Sequence, residues 1–223
     1  MRELTGAGDG GNVTVPHKTV AAEVVESATE ELVLTGACNT FWMEDGRICG
    51  DNTDVAGFKA ALTALAGDPR DARVLMLGAG GAARAVVVGL HQLGAGPVAV
   101  WNRSPTRLQE LREQAIRIGR SLDAWDRREP FDIVINATSV GLHANDAPPV
   151  AAAETGARYA LDLVYRVGGT PWSHAATAAG LSAADGLEML LRQGARAFER
   201  WFRMPAPIDV MRAAIAEATS RTA

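Results

Sequence analysis

The sequence predicts an α/β protein built on a doubly wound parallel sheet, with a smaller α/β lobe beside it that the C-terminal helices complete. Three observations predict this. Apolar runs such as "VLML", "FDIVINAT" and "YALDLVY" are nearly continuous, as strands covered on both faces require. Strand-like runs alternate with helical patterns along the chain. The first long apolar strand runs straight into "GAGGAARA", a glycine turn that opens a helix.

The elements follow in order. In "GGNVTVPHK" the β-branched Val13, Thr14 and Val15 favour a strand from Asn12 to Val15, which Pro16 ends by lacking the amide donor. Lys18 is then expected at the lip of a sheet, with His17 turned to the opposite face. Residues 21–31 read as a helix and 32–35 as a short turn. Thr40 to Met43 and Arg47 to Cys49 flank Asp45-Gly46, the favoured two-residue hairpin turn. A helix is expected over 58–66, then the buried strand and glycine turn, a second strand "PVAVWNR", and a helix over about 106–119. Asp185 and Glu188 have capping-box spacing ahead of an apolar stripe from Leu187 to Trp201. Pro205 and Pro207 stop that helix, and a last one starts near Asp209.

Bulk properties exclude several classes. With 223 residues the chain can bury a substantial core, and the net charge of -4 offers no basic footprint for nucleic acid. The apolar stretch from Val74 to Leu90 is broken by Arg84 and glycines, so no membrane span is expected. No leader-like segment opens the chain, which points to the cytoplasm. Cys38 and Cys49 lack metal-ligand spacing, so no metal is expected, and both read as reduced, buried thiols.

"LGAGGAARA" fits G-x-G-x-x-A, with Gly78, Gly80 and Ala83 at the small positions. The strand before it and the helix after it supply the context of a dinucleotide-binding Rossmann turn, in which side chains would hold a pyrophosphate away from the helix N-terminus. Without a ligand it would be a tight turn and nothing more. At the end of the second strand an NAD enzyme carries an acid for the ribose 2′-hydroxyl. Here Asn102 stands instead, followed by Arg103, Ser104 and Arg107, which suit a 2′-phosphate. The residues therefore read as NADP-binding, unless the arginines merely decorate a helix start.

Lys18, alone, reads as an ordinary surface residue. Asp54, at the end of "GDNTD", alters that reading, because it falls where the smaller lobe meets the cofactor lobe, and clefts form at such junctions. Ketone reduction by hydride transfer needs a proton for the developing alkoxide. An ammonium about 3 Å from the carbonyl oxygen can polarise it and donate that proton. Asp54 would hold the lysine in place.

Taken together, "NVTVPHK", "GACNT", "GDNTD", "LGAGGAARA", "NRSPTR", "INATSVGL", "YRVGGTP" and "DGLEMLLRQGARAFERW" resemble the shikimate dehydrogenase family, in the family's order, from about Gly11 to Ile208. The resemblance implies NADPH-dependent reduction of 3-dehydroshikimate to shikimate, in the pathway to the aromatic amino acids. It implies Lys18 and Asp54 as the catalytic pair, and Thr14, Asn39, Tyr165 and Gln193 as substrate-binding residues. It also assigns Gly78, Gly80, Gly81 and Ala82 to the pyrophosphate, Asn102, Arg103, Ser104 and Arg107 to the NADP-selecting segment, and Gly186 and Met189 to the nicotinamide pocket. Residues 1–54 and 187–223 would form the substrate lobe and 55–186 the NADP domain.

The resemblance is incomplete at the front. Family members carry a βαβα stretch with a Ser-x-Ser grip on the substrate carboxylate, and no such motif precedes Lys18. This reading implies a shortened substrate lobe, and an exposed first strand free to pair with a second copy as a homodimer. Two alternatives stay open: a quinate or aminoshikimate-type dehydrogenase, and a non-catalytic NADP-binding relative.

Overall fold

The computed structural model describes residues 10–220, except 128, 143–145, 147–149 and 167. The opening residues 1–9 and Val167 of "YRVGGTP" thus lie outside the described residues.

The first part of the chain forms a four-stranded sheet. Its strands are β1 (Gly11–Asn12), β2 (Ser27–Ala28), β3 (Thr40–Glu44) and β4 (Arg47–Asp51), in the order β1-β3-β4-β2. β3 and β4 make the expected antiparallel hairpin, with Asp45 and Gly46 both at positive φ (50° and 74°). That geometry matches the twist of the paired strands, which is why Asp-Gly turns favour hairpins. Helices α1 (Lys18–Glu23) and α2 (Glu30–Thr35) flank the sheet.

Helix α3 (Asp54–Ala66) leads into the larger sheet. Its strands are β5 (Val74–Leu77), β6 (Val98–Trp101), β7 (Asp123–Ala124), β8 (Ile133–Asn136), β9 (Tyr159–Asp162) and β10 (Ser182–Ala184). All neighbours are parallel, in the order β10-β9-β8-β5-β6-β7. The chain departs from β5 first to one side and then to the other, so a crevice opens between the carboxyl ends of β5 and β8, where doubly wound folds bind ligands. Both faces are covered. Val74 and Met76 enter one apolar cluster, with Phe58, Leu90 and Ile133, and Leu75 and Leu77 enter another, with Val134 and Trp172. Hence the continuous apolar strands: every residue of β5 is buried, whichever face it points to.

Around this sheet run α4 (Gly81–Gln92), α5 (Pro105–Arg117), a 3-10 turn at Ala152–Thr155, α6 (Pro171–Ala178), α7 (Leu187–Phe202) and α8 (Ile208–Ser220). No helix of the described residues is long and apolar enough to cross a membrane.

Five expectations need correction. The strand over 12–15 is only Gly11–Asn12, although the amide of Val13 still donates to Asn39 O. Beyond it the chain turns through a Thr14 to His17 hydrogen bond, and Lys18 begins a helix instead of ending a strand. The helix over 21–31 is two short helices with β2 between them, because the side chain of Thr29 restarts the helix by accepting from Leu32 N. Residues 32–35, read as a turn, belong to the second of these helices. Asp185 bonds the amide of Leu187, but Glu188 does not reach back to complete a capping box; it pairs with Arg192 and Arg212 instead. Helix α6, with its Thr170/Ser173 capping box, carries no apolar stripe long enough to announce it.

Candidate active site

Lys18 is the first residue of α1 and Asp54 the first of α3. The N-terminal end of a helix favours a carboxylate such as Asp54. Lys18 Nζ donates to Asp54 Oδ2 at 2.5 Å, with the two side chains 16% and 9% exposed. The pair is therefore shielded without being sealed. Asp54 Oδ1 accepts from Asn39 Nδ2 at 2.9 Å, so both carboxylate oxygens are engaged.

Asn39 is the hub. Its Oδ1 accepts from the amide of Thr53 at 2.7 Å, and its Nδ2 faces Thr53 Oγ1 at 2.9 Å, Asp54 Oδ1 at 2.9 Å and Gln193 Oε1 at 3.4 Å. Two amide hydrogens cannot satisfy three acceptors well. The longest contact, to Gln193, is the one most open to exchange for a ligand oxygen.

The backbone of this cluster is fixed by its neighbours. Asp51, almost fully buried, accepts from Thr29 Oγ1 (2.5 Å), the amide of Asn52 (2.7 Å) and Arg200 Nε (2.8 Å), which ties the end of β4 to α7. Helix α7 brings Gln193 in by packing against α3 at Gly57. A Cβ at that position would lie 2.7 Å from Met189 O and 2.9 Å from Gln193 Cβ, so only glycine allows this approach.

The glycine turn sits at the β5–β8 crevice. Gly78 has φ 108° and donates to Trp101 O at 2.7 Å; a Cβ there would press on Ala137 and Thr138 at 2.9 Å. Gly80 and Gly81 differ: a Cβ on either meets nothing within 4 Å. Gly80 caps α4 without a side-chain bond, and Ala82 follows in the helix's first turn. This is an open cradle at a helix N-terminus, and it fits a pyrophosphate. Asn102 shapes it by accepting from Ala79 N at 3.1 Å and donating to Ser104 O at 2.7 Å. Ser104 caps α5, whose first turn carries Arg107. Arg103 and Arg107 are exposed, and no described carboxylate pairs with them.

The structure thus joins Lys18, Asp54, Asn39 and Gln193 into one hydrogen-bonded cluster. Thr14 is exposed and Tyr165 is 48% exposed, and among the described residues neither bonds to that cluster. Gly186 caps α7, its amide on Val164 O at 3.0 Å, while Met189 is buried in the main core. Cys38 and Cys49 are free and buried, and burial pushes the Cys38 thiol up to about 11, so it is inert at neutral pH.

Sequence reasoning passed over Thr53 and Gly57. Gly57 fell just outside the helix expected over 58–66; that helix begins at Asp54, and a lone glycine three residues into it marks a close approach. Also unforeseen is a seam between the two sheets. Arg84 of α4 donates to Thr35 O at 3.3 Å, and the buried Gln114 of α5 donates to Leu34 O at 3.0 Å. These are last-turn carbonyls of α2 that lack partners within that helix.

Known proteins resemble this arrangement closely. Residues 60–158 match the family model for shikimate / quinate 5-dehydrogenase, and residues 186–216 match that for the shikimate 5'-dehydrogenase C-terminal domain. A shikimate dehydrogenase (NADP(+)) of Brucella canis is 41% identical over 204 residues, spanning 86% of this chain and 70% of its own. Among solved structures, a shikimate dehydrogenase in complex with NADP+ superimposes with a TM-score of 0.87 at 30% identity, covering 98% of this chain and 79% of that one. The Thermus thermophilus enzyme in complex with shikimate gives 0.82 at 36% identity, covering 98% and 83%. A parallel sheet with its glycine cradle, a lysine–aspartate pair and these likenesses converge on one conclusion: the chain belongs to the shikimate dehydrogenase family.

Proposed function

We propose that this protein is an NADPH-dependent shikimate dehydrogenase that reduces 3-dehydroshikimate to shikimate on the route to aromatic amino acids. The observation that carries the reading is the Lys18–Asp54 pair at 2.5 Å, held by Asn39 and flanked by Gln193.

Residues 1–54 and 187–223 act as the substrate lobe, and 55–186 as the cofactor domain. The cradle of Gly78, Gly80, Gly81 and Ala82 holds the pyrophosphate of NADPH, and Asn102, Arg103, Ser104 and Arg107 receive its 2′-phosphate. NADPH, when bound, supplies the hydride. Lys18 Nζ hydrogen-bonds the ketone oxygen, polarises it and delivers the proton that turns the alkoxide into a hydroxyl. Asp54 fixes the lysine by its Oδ2, and Asn39 fixes the aspartate by its Oδ1. The Gln193 amide, weakly held by Asn39, turns to a ring hydroxyl. Thr14 and Tyr165 add substrate contacts from their exposed positions, and Gly186 and Met189 border the nicotinamide. The test is oxidation of NADPH by 3-dehydroshikimate, followed by absorbance. Turnover that disappears in Lys18→Ala supports the reading, and no turnover by the wild-type protein overturns it.

A second reading, quinate oxidation, has its support in the family model, which joins shikimate and quinate enzymes. Comparing kcat/KM across both substrates decides between them. Work in the cytoplasm fits a chain whose described helices do not cross a membrane. Among the described residues β1 pairs only with β3, so its free edge suits a homodimer, which sedimentation at several concentrations checks.

A further inference from the structure

Beyond the lysine–aspartate cluster, a second buried carboxylate belongs to Asp162, the last residue of β9. It is fully buried, and its carboxylate accepts three hydrogen bonds: from Asn136 Nδ2 at 2.9 Å and Val164 N at 3.0 Å on Oδ1, and from Thr170 Oγ1 at 2.6 Å on Oδ2. No cation faces it among these partners. A charge buried without a counter-ion is costly unless hydrogen bonds compensate, so a site that retains one needs its geometry.

Those bonds lead to the cofactor crevice. Asn136, the last residue of β8, accepts on Oδ1 from Thr138 N at 3.1 Å and Thr138 Oγ1 at 2.7 Å, and donates to Val140 O at 3.2 Å. Thr138 Oγ1 in turn accepts from Val140 N at 3.1 Å. The methyl of Thr138 stands where a side chain on Gly78 would collide. One carboxylate therefore sets the chain that leaves β8 along the wall of the crevice opposite the glycine turn. Through Val164 it also sets the segment that receives the amide of Gly186 and carries Tyr165. The third arm reaches Thr170, which caps α6 and anchors the carboxylate to the scaffold.

We propose that Asp162 is a positioning residue for the bound nucleotide, acting through Asn136 and Thr138 to hold residues 138–140 as the wall of the crevice facing Gly78. This rests on the dinucleotide-binding reading above. Removing the carboxylate leaves three buried donors without an acceptor. In Asp162→Asn the amide oxygen would still accept two of those bonds and the amide nitrogen could donate to Thr170 Oγ1, so that variant keeps most of the geometry without the charge.

The experiment measures the NADPH Kd by calorimetry, with turnover and melting temperature in parallel, for wild type, Asp162→Ala, Asp162→Asn, Thr138→Val and the Asp162→Ala/Thr138→Val double variant. Expected are a roughly tenfold rise in Kd for Asp162→Ala, most of it recovered in Asp162→Asn, and a smaller rise for Thr138→Val. The double variant should exceed Asp162→Ala by less than the Thr138→Val effect, since both act on one chain of bonds. Should Asp162→Ala not fold, the remaining test is Asp162→Asn against Thr138→Val. A clear rise in Kd for Thr138→Val then supports the proposal, and wild-type Kd in both overturns it. A folded Asp162→Ala with wild-type Kd and a lower melting temperature also overturns it, because that is a stability role alone. If wild type binds NADPH but turns over no substrate, the functional reading fails while these Kd values still decide the role of Asp162.

Discussion

Replacing Gly57 by alanine tests how the substrate side of the site is assembled. A Cβ there would lie 2.7 Å from Met189 O, 2.9 Å from Gln193 Cβ and 3.1 Å from Gln193 N, while ordinary contact begins near 3.4 Å. Helix α7 must retreat by a fraction of an ångström, and the obstacle is mostly backbone, which cannot swing aside. Overpacking of this kind costs about 1–3 kcal/mol. Alanine in a helix interior returns about 1 kcal/mol relative to glycine. The net expectation is a loss of about 0–2 kcal/mol, or up to roughly 8 °C in melting temperature for a chain of this size. Function should suffer more selectively. Gln193 already sits at 3.4 Å from Asn39, and moving it sacrifices one neutral hydrogen bond to substrate, worth about 1 kcal/mol, or roughly fivefold in KM. The KM for NADPH should change less than that for 3-dehydroshikimate, because the glycine cradle is on another helix and α7 meets the cofactor only through Gly186 and Met189. Steady-state kinetics with each substrate varied in turn, beside a thermal melt, read all three quantities. A Gly57→Ala protein that melts higher and keeps its 3-dehydroshikimate KM would refute the close-approach argument, since helix propensity alone would then account for the result.

Other outcomes follow from the same geometry. Lys18→Ala should lower kcat by about 10²–10⁴-fold, with NADPH affinity by calorimetry unchanged, as expected of a group acting on the reacting oxygen. Arg103→Ala and Arg107→Ala should each raise the KM for NADPH by about tenfold or more while leaving that for NADH alone, because a charge-assisted bond to phosphate is worth about 1.5–3 kcal/mol. The Arg212 guanidinium, then Arg192, holds the Glu188 carboxyl down at about 2. A depressed carboxylate stabilises the fold above its unfolded value near 4.5 and loses that contribution as pH falls toward 2. Glu188→Gln should therefore melt below wild type at pH 7, with the gap closing as pH drops from 4.5 toward about 2. Arg212 is half exposed, so solvent screening keeps the gap small.

Much of the nucleotide half was legible in the sequence because its signals are local. The run Val74 to Leu77 and the turn at Gly78 each depend on what a few adjacent residues permit, as does the Asp45-Gly46 hairpin of the first lobe. The first lobe was read less well. Thr29 divides one apparent helix into two by capping the second, and β2 exists through its pairing with β4, a contact set by residues some twenty positions away. Lys18 and Asp54 were legible as partners across a junction between lobes, but nothing in the sequence measures the 2.5 Å between them. Asp162 read as part of an apolar strand. Its importance lies in three donors from three segments, which no spacing rule anticipates.

Helix α5 serves two masters. Its first turn carries Arg107, proposed above to meet the 2′-phosphate, and two turns later Gln114 grips the end of α2, just upstream of Asn39. An engineer exchanging NADPH for NADH by rebuilding residues 102–107 will therefore be pulling on a lever whose far arm rests in the other half of the enzyme. Coenzyme swaps that preserve the register of α5 at Leu111 to Ala115 should spare substrate recognition, and those that re-pitch the helix should degrade it without touching a single substrate contact.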